Sequence, residues 1–355
     1  MPAPSRYYAG LLVASFLAGT TVLSPFASEG SEEVVAEVAL TFADERIDES
    51  SGLVVRGRTV LTVNDSGDGP YVYAVDRRTG ETTGVTTFAD EDPVDVEALA
   101  PGRGGTTWVG DIGDNGRVRD SVTVHRFTPL VHGGWARATS FGLRYPDGPH
   151  DAETLLVHPG TGRVAVVTKR PFIGGVVYLA PPRLTPDAVH RLERVAAVRG
   201  TVTGGAFLPG GRHVVLRTYG SAAVYTYPGF EEVAAFELPV QEQGEAVAVG
   251  PDGRLYLSTE GALSDVLAMK LPREARVALR PRAEGPAPSP AASRSPATVG
   301  PDAPAAGDEV EDRDASDSGP GLETAVLLVA VAAGVLGLLV AWGLRASRRR
   351  GRRTR

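Results

Sequence analysis

Acidic residues recur in this chain where an apolar run would otherwise continue. The stretch VDVEAL, residues 94–99, sets Asp95 and Glu97 two apart among residues that suit a buried strand, where a charge costs several kcal/mol unless it is paired or binds a cation. Comparable acids stand in HDAETLL (Asp151, Glu153), GEAVAV (Glu245), GDIGDN (Asp111, Asp114), NDSGDG (Asp65, Asp68) and STEG (Glu260). Two chemistries fit such residues, an acid and base pair or a set of metal ligands. Donors that are all oxygen suit Ca²⁺ or Mg²⁺ and disfavour zinc or copper. The chain has no Cys, which excludes disulfides, thiolate ligands and a thiol nucleophile. Two other readings compete: Asp beside Gly caps turns by accepting from its own backbone, and ion pairs to Lys169 or Arg217 would also account for the charges.

Choosing among these readings depends on the elements that hold the acids. Five similar starts recur, SGLVV at Ser51, EALAP at Glu97, ETLLV at Glu153, GAFLP at Gly205 and EAVAV at Glu245, spaced by 46, 56, 52 and 40 residues. After each comes a Gly-rich turn and a second apolar run (TVLTVND, TTWVGDI, RVAVVTKR, HVVLRTYG, RLYLSTEG), then a third (YVYAVD, SVTVHRF, GVVYLAP, AAVYTYP, DVLAMKL). Units one to four add a fourth, TTGVTTF, TSFGLRY, RLERVAAV and EVAAFELP; the fifth lacks one, and VVAEVALTF, residues 34–42, is free to supply it. Four strands per unit at this period, with no long amphipathic helix, predict an all-β chain. The fold expected is a five-bladed β-propeller over residues 34–280 whose N-terminal strand closes the last blade. Six blades are the fallback, should a long connection hide one.

In such a ring the first strand of each blade lines the channel, and its entry shares a face with the exit of the antiparallel second strand. Glu97, Glu153 and Glu245 then stand at one level of the mouth, with Ser51 and Gly205 in the other two blades. The expected Ca²⁺ ligands are Glu97, Asp111, Asp114, Asp151, Glu153 and Glu245. Asp65, Asp68, Asp95, Lys169, Arg217 and Glu260 form the expected ligand-binding rim. The acids are thus both a repeat position and a chemical focus.

The motifs ESSGL, NDSGDG, DVEAL, GDIGDN, YPDGPHDAETLL and GEAVAV, between about Ile47 and Lys270, resemble the secreted propellers grouped with phytase-like esterase domains and, more loosely, the tryptophan-aspartate repeat class, whose closing dipeptide is absent here. The resemblance implies a propeller with an acidic, calcium-holding face and phosphoester or ester hydrolysis. Lys169 and Arg217 could hold the anion while a metal-bound water attacks. A serine mechanism would need a base near Ser50 or Ser51, and His150 is the one histidine beside the mouth motifs.

The ends give the chain an address. Residues 1–27, with an apolar run from Ala9 to Leu23 after Arg6, read as a secretory signal. Residues 281–320 are rich in Pro, Ala, Ser and acid and read as a disordered stalk. Residues 324–344 carry no charge over 21 positions, enough to span a bilayer, and the tail 345–355 holds seven Arg, which predicts a cytoplasmic C-terminus and an exposed ectodomain. Removing those seven from the formal net charge of −7 leaves about −14 outside, a field that repels nucleic acid. Two functions follow as expectations. The first is a membrane-anchored surface binding module for a cell-envelope protein or small anionic ligand, and the second is a metal-dependent hydrolase of phosphoesters or esters.

Overall fold

A computed structural model describes residues 35–280 apart from Ser66 and Glu91. The expected signal, stalk, membrane span and tail lie outside the described residues. Among the described residues no helix is long and apolar enough to cross a membrane.

Five antiparallel sheets form the blades. Blade 1 comprises Ser50–Arg56, Thr59–Asn64, Tyr71–Asp76 and Thr82–Thr87; blade 2 comprises Val96–Pro101, Thr107–Asp111, Val122–Phe127 and Thr139–Arg144. Blade 3 comprises Ala152–Val157, Val164–Thr168, Gly175–Leu179 and Glu193–Val198; blade 4 comprises Gly204–Phe207, His213–Arg217, Ser221–Thr226 and Glu232–Glu237. Blade 5 takes Gly244–Val249, Leu255–Thr259 and Asp265–Met269 from the C-terminal end and Ala36–Thr41 from the N-terminal end. Strands deep in the ring are covered on both faces, so AETLLV, VAVVT and GVVYL are buried throughout, which explains their continuous apolar runs. The outer strands ERVAAV and EVAAFE face solvent on one side and are mixed accordingly.

The expected closure is present. Ala36–Thr41 runs antiparallel to Asp265–Met269, from Ala36 opposite Met269 to Thr41 opposite Asp265. Leu40 and Phe42 are buried with Tyr73, Val75 and Val266, so the same segment ties blade 5 to blade 1. A similar apolar layer, including Trp108 stacked on Phe141 at 5.4 Å, joins blades 2 and 3. The fallback sixth blade is not needed. The long spacings of 56 and 52 residues contain only short parallel additions, Gly134–Trp135 beside Thr82–Thr87 and Val189–Arg191 beside Thr139–Arg144. A six-residue helix, Arg273–Ala278, follows the last blade.

The inner strands come very close around the channel. A Cβ on Gly204 would lie 2.5 Å from the Glu245 carbonyl oxygen, so only glycine allows blade 4 to meet blade 5 there.

Candidate functional site

The acids reach the mouth through a device in the inner strands. Pairing with the second strand slips by one residue at Ser51 in blade 1, at Glu97 in blade 2, at Glu153 in blade 3 and within Glu245–Ala246 in blade 5. Such a β-bulge leaves one residue out of the ladder and re-aims its side chain. Blade 4, which carries Gly205, pairs without a slip. All three bulged glutamates are buried.

One group of carboxylates has the geometry of a cation site. Asp65, Asp95 and Glu97 each offer an oxygen, and these oxygens lie within 4.8 Å of one another. Oxygens sharing a Ca²⁺ at about 2.3–2.6 Å are separated by no more than about 5 Å. Glu97 is only 1 % exposed, and its Oε1 and the Oδ1 of Asp95 are buried without a hydrogen-bond partner. Gly113 walls the group; its N–H donates to the Asp95 carbonyl at 3.1 Å, and a Cβ there would stand 2.7 Å from Glu97 Oε1. Burial, then Asp65 and Asp151, push the Asp95 carboxyl up to about 7. Burial, then Glu153, Asp65 and Asp95, also hold Glu97 well above the ordinary range. Glu260 is raised to about 8, by burial first and Glu245 next. Charges this crowded either stay protonated or hold a cation.

These shifts give a pH prediction of unusual sign. A carboxyl with a raised folded-state pKa contributes stability that is full below its unfolded value and lost as pH rises through the folded one. Without metal, therefore, the propeller is expected to lose stability between about pH 4 and pH 8, the window set by Asp95 and Glu260. Calcium should flatten that slope. Thermal melts in chelator and in Ca²⁺ across the window check it; a chelated protein whose midpoint climbs with pH would refute it.

The other expected ligands are differently engaged. Asp111 accepts from the Asp95 N–H and from Arg119 Nη1, both at 2.9 Å. Asp114 accepts from the N–H groups of Val118 and Arg119 at 3.0 and 2.9 Å, and Asp151 from the Asp114 N–H at 2.9 Å. This is turn-building chemistry. Glu153 is ion-paired with Lys169, whose Nζ also lies 5.8 Å from the Tyr219 ring centroid. Burial opposes the Lys169 ammonium, yet Glu153 and Glu245 outweigh it and raise its pKa. Glu245 has one oxygen 3.4 Å from Gln243 Nε2 and the other buried without a partner.

On the expected rim, Asp65 and Asp95 join Glu97 as described, Asp68 accepts from the Tyr73 hydroxyl at 3.0 Å, and Glu260 accepts from Gln243. Arg217 lies inside rather than on the rim. Its guanidinium is fully buried, donating to the carbonyls of Ala246, Ser258 and Thr218 at 2.9–3.2 Å and to Gln241 Oε1 at 3.3 Å; burial lowers its pKa to about 10. Arg119, Tyr219 and Gln243 also take part in the site without a repeat position to mark them in the sequence, although Arg119 sits in the same short loop as the aspartates it serves. His150 bonds Asp147 and Tyr178. Ser50 contacts Thr62 and Ser258, and Ser51 donates to the Glu97 carbonyl.

Neither a protein-family model nor a curated protein sequence matches the chain. Among solved structures, it is similar to a glucose dehydrogenase, at 13 % identity over 67 % of this chain and 100 % of that one with a TM-score of 0.41. It is similar also to the soluble aldose sugar dehydrogenase of Escherichia coli in its apo-form, at 11 % identity over 66 % of this chain and 99 % of that one, again with a TM-score of 0.41. These likenesses carry no activity to this chain, and the resemblance to phytase-like esterase propellers has no counterpart among them.

Proposed function

We propose that this chain is a binding module whose channel mouth holds one hard divalent cation, Ca²⁺ by donor chemistry, on Asp65, Asp95 and Glu97, and that ligands are engaged at that face. In this reading the module is displayed outside the cell on the stalk 281–320 and tethered by residues 324–344. The observation that carries it is the Glu97 carboxylate, 1 % exposed, with Oε1 unpartnered beside the unpartnered Oδ1 of Asp95. The other Glu97 oxygen, Oε2, has only a long 3.4 Å hydrogen bond from the Ser51 hydroxyl; a buried acid so thinly partnered is costly, and a cation removes that cost. The hydrolase alternative draws less support, because Lys169 is matched by Glu153, Arg217 is given to carbonyls and neither serine bonds a histidine.

Titration calorimetry of the full chain in mild detergent tests the reading. One Ca²⁺ per chain is expected, with affinity reduced at least about tenfold in Gly113→Ala, whose new methyl crowds the two carboxylates. No binding at millimolar Ca²⁺ would refute the site. Calcium-dependent turnover of chromogenic phosphate or acetate esters would move the assignment to the hydrolase.

A further inference from the structure

We propose that the mouth face is a docking surface for a protein partner that places a lysine or arginine side chain in the acidic well and rests apolar residues on a collar around it. The proposal rests on the reading of the mouth as the binding face and names the class of partner.

The collar is the first observation. Val94, Val118, Phe172, Ile173, Val240 and Leu263 are 48–99 % exposed. All six lie in connections at the mouth end of blades, either between second and third strands or ahead of an inner strand. The hairpins at the opposite end, joining inner to second strands, carry no exposed large apolar side chain among the described residues. The exposed apolar side chains at that end, Leu130, Val131, Trp135 and Val189, lie in the connections from third to outermost strands of blades 2 and 3, whereas the six at the mouth are spread over connections around a charged centre, an arrangement that marks an interaction site.

The backbone of the collar is the second. Phe172 and Leu263 adopt φ of +67° and +58°, a left-handed conformation that large side chains rarely take. Glycine would serve these turns better as structure. Holding a phenylalanine and a leucine there, turned to solvent, gains the fold nothing and suits a contact with something outside it.

The well supplies the charge. With a cation on the Asp65–Asp95–Glu97 side, the other side still sets three acids, Glu153, Glu245 and Glu260, against Lys169 and the buried Arg217, which also acts on Glu245. Glu245 is 3 % exposed with Oε2 buried and unpartnered, so it offers a desolvated acceptor to an incoming ammonium or guanidinium. A charged pair inside a water-excluding apolar ring is how protein interfaces concentrate affinity. Anionic lipid would be repelled by this face, and two copies meeting mouth to mouth would bring like charges together.

The test selects a displayed random-peptide library on the full chain in mild detergent with Ca²⁺ present, against the parent, Phe172→Ser/Ile173→Ser and Glu245→Gln proteins, each checked for an unchanged melting midpoint. Selected peptides are expected to carry Lys or Arg flanked by apolar residues. Affinity should fall at least about tenfold in both variants, and equally when the basic residue of the peptide becomes Gln. The proposal is overturned by a selection that yields no binder or no basic enrichment, by acidic peptides that bind only with calcium, by binding of phosphatidylserine vesicles instead, or by self-association of the chain through this face. If calcium titration still gives one site while docking fails, the docking proposal alone falls; if both fail, the mouth reading falls with it.

Discussion

Deleting residues 34–42 is expected to lower the thermal midpoint by about 10 °C or more, or to abolish cooperative unfolding altogether. The deletion strips the outer strand from blade 5 and leaves Asp265–Met269 as an unpaired edge. It also removes Leu40 and Phe42 from the layer that joins blade 5 to blade 1. Loss of a buried phenylalanine alone costs about 3–5 kcal/mol, and in a domain of this size each kcal/mol moves the midpoint by about 2–4 °C. Val38, on the same strand but 56 % exposed, provides the control, and Val38→Ser should leave the midpoint nearly unchanged. Scanning calorimetry decides it; a deletion protein melting like the parent would mean that the ring does not close through this strand.

Lys169→Met is expected to destabilise the propeller by about 3–5 kcal/mol, the cost of leaving the other half of a buried ion pair uncompensated. The Lys169 side chain is only 20 % exposed and its partner Glu153 only 5 %, so solvent screens little of the interaction. The loss carries a pH signature. Burial already raises Glu153 against the pull of Lys169, and without the ammonium it rises further. The penalty should therefore be greatest above neutral pH and shrink as acid protonates Glu153. Denaturant melts at pH 5 and pH 8 measure it, and an equal loss at both would mean that packing rather than charge explains the residue.

The blades are legible in the sequence because strands buried on both faces read as short apolar runs between Gly-rich turns, which is why VAVVT and GVVYL stand out. The closing strand is legible by counting, since the fifth unit lacks one. The two parallel additions are not, because Gly134–Trp135 and Val189–Arg191 are too short to show alternation. Arg217 shows the limit most plainly. Lys169 and Arg217 follow similar apolar runs, yet Arg217 pairs with Gly204 at the level where Thr168 pairs with Ala152, one residue earlier than Lys169. With a side-chain period of two, one position reverses the face, and Arg217 turns into carbonyl groups while Lys169 reaches the mouth. Asp65, Lys169 and Glu260 share the later level, each N–H donating to a residue before the inner strand. The bulges at Glu97 and Glu153 depend on register across the sheet, which composition does not encode. Which acids are spent on turns depends on neighbours such as Arg119 folding back over Asp111.

The cation on Asp65, Asp95 and Glu97 is the central claim, and a melt series of the parent, Glu97→Gln, Glu153→Gln and Asp111→Asn proteins with chelator and with millimolar Ca²⁺ tests it most directly. A ligand at about a hundredfold above its dissociation constant stabilises by about 2.7 kcal/mol, so calcium should raise the parent midpoint by about 5–10 °C. Glu97→Gln should lose that response and, by removing a like charge from a crowded site, melt no lower than the parent in chelator. Glu153→Gln should keep the response, because Glu153 is matched by Lys169, and Asp111→Asn should lose stability equally in both conditions, because Asp111 holds Arg119 and the Asp95 backbone. A parent protein indifferent to calcium, or a Glu97→Gln protein that responds as the parent does, would contradict the site.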